Sequence, residues 1–142
     1  MHYHFKIHKE GDGFWAECIE IPACFTQADS KEELFDNMRE AINLCLQEPS
    51  SSKYLAPLPN PDIKCTTSVV AVPVDPAIAF GFSVRYHRMK EGLTQKEAAQ
   101  KLGLESIFSY QRLERKCNAT LEVIAKVMSL FPNFSADLVC SS

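Results

Sequence analysis

Residues 94–114, TQKEAAQKLGLESIFSYQRLE, constrain the fold of this chain more than any other stretch. Thr94 with Glu97 three positions on forms a capping box, the reciprocal pairing of side chains and backbone amides that starts a helix. Ala98, Ala99 and Leu102 follow at helical spacing. Gly103 then stops the helix, because a helix end favours the left-handed backbone that glycine takes at no cost. A following helix is expected from about residue 105 or 106 to 115. Two short helices joined at a glycine, with alanines small enough to let them cross closely, have the layout of a helix-turn-helix. In that motif the second helix lies in the major groove of DNA. Tyr110 and Leu113 would pin it to a bundle, which leaves Phe108, Gln111, Arg112 and Arg115 outward, flanked by Ser106 and Ser109. Gln and Arg are the side chains whose paired groups match adenine and guanine edges. Gln95, at the start of the preceding helix, is placed to reach a phosphate.

The surrounding residues extend this into an all-α bundle. Asp75 is expected to cap a helix with Pro76 at its first position, and Ile78, Phe82, Tyr86 and Met89 line one face of it up to Gly92. Thr120 caps another helix, with Leu121, Ile124, Ala125 and Met128 directed inward and Pro132 closing it. Ser135 caps a last short turn.

The front of the chain has a different period. Tyr3, Phe5 and Ile7 alternate with His2, His4, Lys6 and His8, the pattern of a half-buried strand whose histidines form a solvated face. Gly11-Asp12-Gly13 signals a hairpin. Residues 14–21, with the only tryptophan, Trp15, form a second strand that Pro22 breaks, and residues 24–28 form a short third. Ser30 and Glu33 make another capping box, after which Leu34, Met38, Ala41, Ile42 and Cys45 give one apolar helical stripe to cover the sheet. Pro49 ends that helix. Four prolines between residues 49 and 62 mark a linker or surface crossing. Residues 65–74 are rich in valine, but Pro73 cannot donate to a ladder, so this strand sits at an edge. It either completes the same sheet or pairs with another chain. The order predicts an α+β fold, with a sheet-and-helix domain over residues 1–75 and a helical domain over residues 76–142.

Charge divides at nearly the same place. Residues 1–48 hold four Lys/Arg against ten Asp/Glu, a net −6, whereas residues 83–142 hold nine against six, a net +3. An acidic front and a basic back imply two different partners. The six cysteines form no Cys-x-x-Cys pair and match no zinc spacing, so a reduced, structural role is expected, with no metal and no cofactor. No apolar run approaches the roughly 20 residues of a membrane span, and the polar start carries no secretory signal. A cytoplasmic protein is expected. There is no nucleophile elbow or phosphate loop, and no catalytic residue is assigned. Glu10, Asp12, Glu17, Glu20 and Asp29 read better as a partner-facing acidic surface beside Trp15 than as metal-holding carboxylates. Such a surface suits a basic protein that itself binds nucleic acid.

The front half resembles the N-terminal domain of HicB antitoxins. The resemblance lies in Gly13-Phe14, in the Pro22, Cys24, Thr26-Gln27 and Asp29-Ser30 segment, and in Asn37 with Glu40-Ala41-Ile42. The back half resembles the Cro/repressor-type helix-turn-helix at the C-terminus of one HicB branch, through Gly92-Leu93-Thr94-Gln95, Leu102-Gly103, Arg112-Leu113-Glu114-Arg115, Asn118 and Thr120-Leu121. Two departures stand out. Ala28 occupies a position that is glycine in the family, and the stretch from Gly103 to Glu114 is one residue longer than usual. The resemblance implies a partial RNase H-like N-domain that neutralises a small, basic, mRNA-cleaving HicA-type toxin. Glu10, Asp12, Trp15, Glu17, Glu20 and Asp29 are its expected toxin-binding residues. It also implies a tail that represses its own operon through operator DNA, as a dimer or tetramer, with no enzymatic activity. A ligand-sensing transcriptional regulator and a metal-dependent nuclease remain as alternatives.

Overall fold

The computed structural model describes residues 1–49 and 51–141. Ser50, within the expected linker, and Ser142 lie outside the described residues. The fold is α+β. Four strands, β1 (His2–Glu10), β2 (Gly13–Cys18), β3 (Phe25–Ala28) and β4 (Val69–Pro73), form one sheet in the order β3-β2-β1-β4, and every pairing is antiparallel. Helix α1 (Lys31–Cys45) interrupts the strands, and α2 (Pro76–Lys90), α3 (Gln95–Lys101), α4 (Ile107–Glu114), α5 (Leu121–Leu130) and α6 (Ala136–Cys140) follow. The chain forms two compact units. One comprises Met1–Leu46 with Ala56–Val74, the other Gln47–Leu55 with Asp75–Ser141. The proline-rich stretch expected as a linker is thus divided between them.

In the first unit, α1 starts where Ser30 Oγ accepts the Glu33 N–H at 3.2 Å. Its stripe of Leu34, Met38 and Ile42 is buried together with Tyr3, Phe5, Ala16, Cys18 and Val72, so one face of the sheet and one face of the helix share a core. The second strand is shorter than expected. After Cys18 the chain leaves the ladder, and a turn closed by Cys24 N–H to Ile21 O carries Glu20 inward. That turn changes the role of the histidine row. His4 is only 8% exposed, because its Nδ1 lies 2.8 Å from Glu20 Oε2 and its backbone N–H donates to Glu20 Oε1. The β4 strand begins only at Val69, since Thr66 Oγ1 accepts the Ser68 and Val69 N–H groups and holds the preceding residues in a turn.

Burial accounts for two of the four cysteines of this unit, whereas Cys45 is half-buried and Cys65 exposed. Cys18 and Cys24 are buried. Loss of water pushes the Cys18 thiol up to about 12 and raises Cys24 further, with the Cys45 side chain as its hydrogen-bond neighbour. All six cysteines are free thiols.

In the second unit, α2 is central. The expected single apolar face of Ile78, Phe82, Tyr86 and Met89 does not hold as drawn, because Tyr86 and Met89 are only half-buried whereas Ala79, Phe80, Gly81, Ser83, Val84, Arg85 and Arg88 are buried. A helix surrounded by other elements has no free face for periodicity to report. Asp75 starts it through its carbonyl, which accepts the Ile78 and Ala79 N–H groups, and not through a side-chain cap. Gly81 lies where the chain leaving α4 passes over α2. A Cβ there would collide with the Arg115 carbonyl, so only glycine lets the two backbones approach.

The expected inward face of α5 is corrected at three of its four positions, with Ile124 half-buried. Val127 is its buried side chain, whereas Leu121 is 85% exposed, Met128 43% exposed, and Ala125 also faces outward. The chain after α5 fixes this orientation by burying Phe131 and Phe134, with Phe134 edge-on to Phe80 of α2. Among the described residues, no helix is long and apolar enough to cross a membrane.

Candidate binding faces

The α3–α4 pair of the second unit is built on caps. Thr94 Oγ1 accepts the Glu97 N–H and the Glu97 carboxylate accepts the Thr94 N–H, each at 3.1 Å. Hydrogen bonds to this carboxylate hold its pKa below the ordinary value. Gly103, at φ +70°, ends α3, and Leu104 N–H returns to Ala99 O, the pairing of a Schellman motif. Leu104 and Glu105 complete the turn, and Ser106 caps α4 by accepting the Ser109 N–H at 3.2 Å. The helix proper therefore begins at Ile107.

One buried network ties α2, α3 and α4 together. Arg88 on α2 holds Glu114 on α4 in a bidentate pair, with Nε donating to Oε2 at 2.6 Å and Nη2 to Oε1 at 3.1 Å. The two side chains are only 10% and 4% exposed. Arg88 Nη1 also donates to Leu93 O at 2.9 Å, so one guanidinium fixes both the turn before α3 and the end of α4. The network continues outward. Gln95 Nε2 donates to Glu114 Oε1 at 3.3 Å, and Gln111 Nε2 donates to Gln95 Oε1 at 3.1 Å. The two glutamines are thereby oriented by a buried ion pair. Gln111 retains a carbonyl oxygen and a second N–H, the acceptor and donor that an adenine edge requires. Tyr110 is fully buried against the same pair, and burial together with the Glu114 charge raises its pKa far above the ordinary range.

The first unit presents a different surface. On the sheet face away from α1, register places His8 beside Trp15, Trp15 beside Gln27, Lys6 beside Glu17, and Glu17 beside Phe25. The His8 and Trp15 rings stack at 4.1 Å with an angle of 15°, and His8 Nε2 lies 3.2 Å from Glu17 Oε1. Phe25 is 67% exposed. Two open depressions flank Trp15 and Glu10. One, of about 400 Å³, is completed by Asp29 and Glu33, and the other, of about 640 Å³, by Glu17, Phe25 and Gln27. The surface thus combines stacked and exposed aromatic rings with carboxylates.

No protein-family model matches the chain. Antitoxin HicB of Pseudomonas fluorescens is 24% identical to it over 103 residues, covering 72% of this chain and 69% of that protein. UPF0150 protein ssr1258 of Synechocystis sp. is 36% identical over 57 residues, covering 37% of this chain and 83% of that protein. The chain belongs to the HicB-like UPF0150 family.

In this HicB-like chain the expected residues fall into distinct settings. Phe108, Arg112 and Arg115 are exposed, while Gln95, Ser106, Ser109 and Gln111 are half-buried, Ser106 as a cap and the glutamines in the network. Glu10, Trp15, Glu17 and Asp29 line the two depressions, and Asp12 is exposed in the hairpin turn. Glu20 stands apart. Its side chain is 3% exposed, and it accepts the His4 and Asn60 backbone N–H groups. Three backbone and side-chain donors from distant positions draw this carboxylate inside, where it braces the fold.

Arg88, His8 and Phe25 were not among the expected residues. Arg88 meets Glu114 across 26 positions, a separation that no local period records. Phe25 was accessible to sequence reasoning, because strand alternation places it on the same face as Gln27 and, by register, Glu17 and Trp15.

Proposed function

We propose that this HicB-like chain is an antitoxin and autorepressor. Its residues 1–75 hold a small, basic, HicA-type mRNA-cleaving toxin, its residues 76–142 bind operator DNA, and it has no catalytic role. The similarity to Antitoxin HicB over 72% of the chain supports the antitoxin role. The observation that carries the division of labour is the contrast between the aromatic, carboxylate-bearing face around Trp15 and the glutamine pair anchored on Arg88–Glu114. Trp15 and Phe25 are the aromatic anchors of the toxin face, with Glu10, Asp12, Glu17 and Asp29 drawing the basic partner in. Gln111 and Arg112 read base edges, with Phe108 and Ser109 beside them. Gln95, Ser106 and Arg115 position the helix against phosphates. A dimer or tetramer matches repeated half-sites, and the cytoplasm is where operon and toxin messenger meet.

The test is a separation of functions in the full chain. Replacing Gln111 and Arg112 together with alanine should abolish operator binding, at roughly 1–3 kcal/mol per base contact, while protection of RNA from the toxin persists. Trp15→Ala with Phe25→Ala should weaken toxin neutralisation by at least about 2 kcal/mol and leave operator affinity unchanged. If either pair of substitutions impairs both functions equally, or neither, the division is wrong. Operator affinity should also fall steeply with salt, as counterions are released from each neutralised phosphate.

A further inference from the structure

Helix α4 holds a large apolar ring in the middle of its polar face. Phe108 is 70% exposed, whereas Tyr110 of the same helix is fully buried. At about 3.6 residues per turn, Phe108 points almost directly away from Tyr110. The exposed Arg112 and Arg115 lie on either side of it, and Gln111 lies at the edge of the same face. Phe108 is also held at both ends of its turn. Ser106 caps the helix by accepting the Ser109 N–H at 3.2 Å, and the two hydroxyls lie 3.1 Å apart. About one turn beyond Phe108, Gln111 Nε2 donates to Gln95 Oε1 at 3.1 Å. That bond uses one N–H of Gln111 and keeps its carbonyl oxygen and second N–H for a ligand.

From this arrangement we propose that Phe108 selects thymine, its ring packing on the C5-methyl of a thymine in the major groove, one base step from an adenine held by Gln111. The proposal rests on the DNA-binding reading of α4 and adds the sequence that α4 selects. The thymine methyl is the apolar group among those that the base pairs present in the major groove. Over any other base edge the phenyl covers a donor or acceptor without satisfying it, which costs free energy. Gln111 supplies the acceptor and donor that match N6 and N7 of adenine. Three residues of helix advance about 4.5 Å, against about 3.4 Å between base pairs, so the two side chains reach neighbouring pairs. Arg112 and Arg115 on the same face favour a polyanionic duplex over an apolar protein surface as the occupant.

The test uses the full chain and the DNA duplex immediately upstream of its own reading frame, titrated by fluorescence anisotropy at low salt. Each thymine is replaced in turn by deoxyuridine, which removes only the methyl. Each adenine is replaced in turn by 7-deazaadenine, which removes only the N7 acceptor. One deoxyuridine position per half-site should weaken binding about fourfold, the worth of one buried methyl group. That position should become silent in Phe108→Ala and remain felt in Phe108→Leu, which keeps an apolar contact. At the neighbouring base pair, 7-deazaadenine should be silent in Gln111→Ala and still felt in Phe108→Ala. Because Phe108 is exposed, its variants should keep the melting temperature of the parent, which separates a lost contact from a lost fold.

A duplex that binds equally with deoxyuridine at every position overturns the proposal and leaves the DNA-binding reading standing. A methyl effect that survives Phe108→Ala also overturns it, as does one lying more than one base step from the Gln111-dependent adenine. If Phe108→Ala spares DNA binding and impairs toxin neutralisation, the ring is a protein contact and the proposal fails. Absence of any binding to that duplex removes the DNA-binding reading itself, and the proposal with it.

Discussion

Each unit contains one buried carboxylate with a cationic or ionisable partner, and the two are used differently. In the second unit Glu114 grips Arg88 and passes its orientation outward through Gln95 to Gln111. In the first unit Glu20 grips His4 and the backbone of Asn60, and its other contacts end on the core. The surface around Trp15 is held instead by contacts among its own members, His8 on Trp15 and His8 with Glu17. Helix α4 is thus held from below, whereas the aromatic face is organised within its own plane. Preorganisation suits base recognition, where hydrogen-bonding groups must be held at fixed positions. A protein partner tolerates more adjustment, because apolar contact is not directional.

The comparison breaks most visibly at Glu114. Glu114→Ala leaves the Arg88 guanidinium buried without its counter-charge and should cost about 3–5 kcal/mol of stability, measured by urea unfolding. Replacing Arg88 with Met and Glu114 with Leu together should recover most of that loss, since an apolar pair of similar volume is often neutral or better. Operator affinity should not recover, because Gln95 and Gln111 lose their anchor. Recovery of both would show that the network serves stability alone.

Glu20 should behave as the opposite case. Glu20→Ala removes charge-assisted hydrogen bonds to His4 and Asn60 and should cost about 1.5–3 kcal/mol, again by urea unfolding. Toxin neutralisation by the folded fraction should be unchanged. A direct loss of toxin affinity without loss of stability would return Glu20 to the binding surface and erase the contrast with Glu17, which lines the open depression.

These two carboxylates also mark where sequence reasoning stops. The strands, the α1 stripe, the Thr94–Glu97 capping box and the Gly103 stop are local patterns, each written within a few residues, and all are legible. Glu20 reads as another surface acid of an acidic strand, and only the turn that ends β2 early carries it inward. Glu114 reads as part of a motif, but its partner Arg88 lies on a helix whose apolar residues surround it on all sides. The α5 error has the same origin. LEVIAKVMSL is apolar on more than one side, so its period allows several inward faces. The choice of Val127 over Leu121 depends on Phe131 and Phe134, which follow the helix and are buried.

The smallest effect is expected from His87, and it sharpens the comparison through pH. The His87 ring lies against Tyr86, Phe131 and Phe134. Burial lowers its pKa from the ordinary 6.5, only partly opposed by the charge of Glu91. The folded state therefore binds fewer protons than the unfolded chain between the lowered value and 6.5. Stability rises with pH across that window and is lost as pH falls below 6.5, with a slope of at most about 1.4 kcal/mol per pH unit. His87→Phe should flatten this dependence in the unfolding of the second unit, followed by hydrogen exchange at α2 amides. His2, whose pKa burial also lowers, gives the first unit a dependence of the same sign that the substitution does not touch. If His87→Phe leaves the α2 profile as steep as before, the acid sensitivity of the second unit resides in another group, and the packing of His87 against Phe131 and Phe134 contributes no proton linkage.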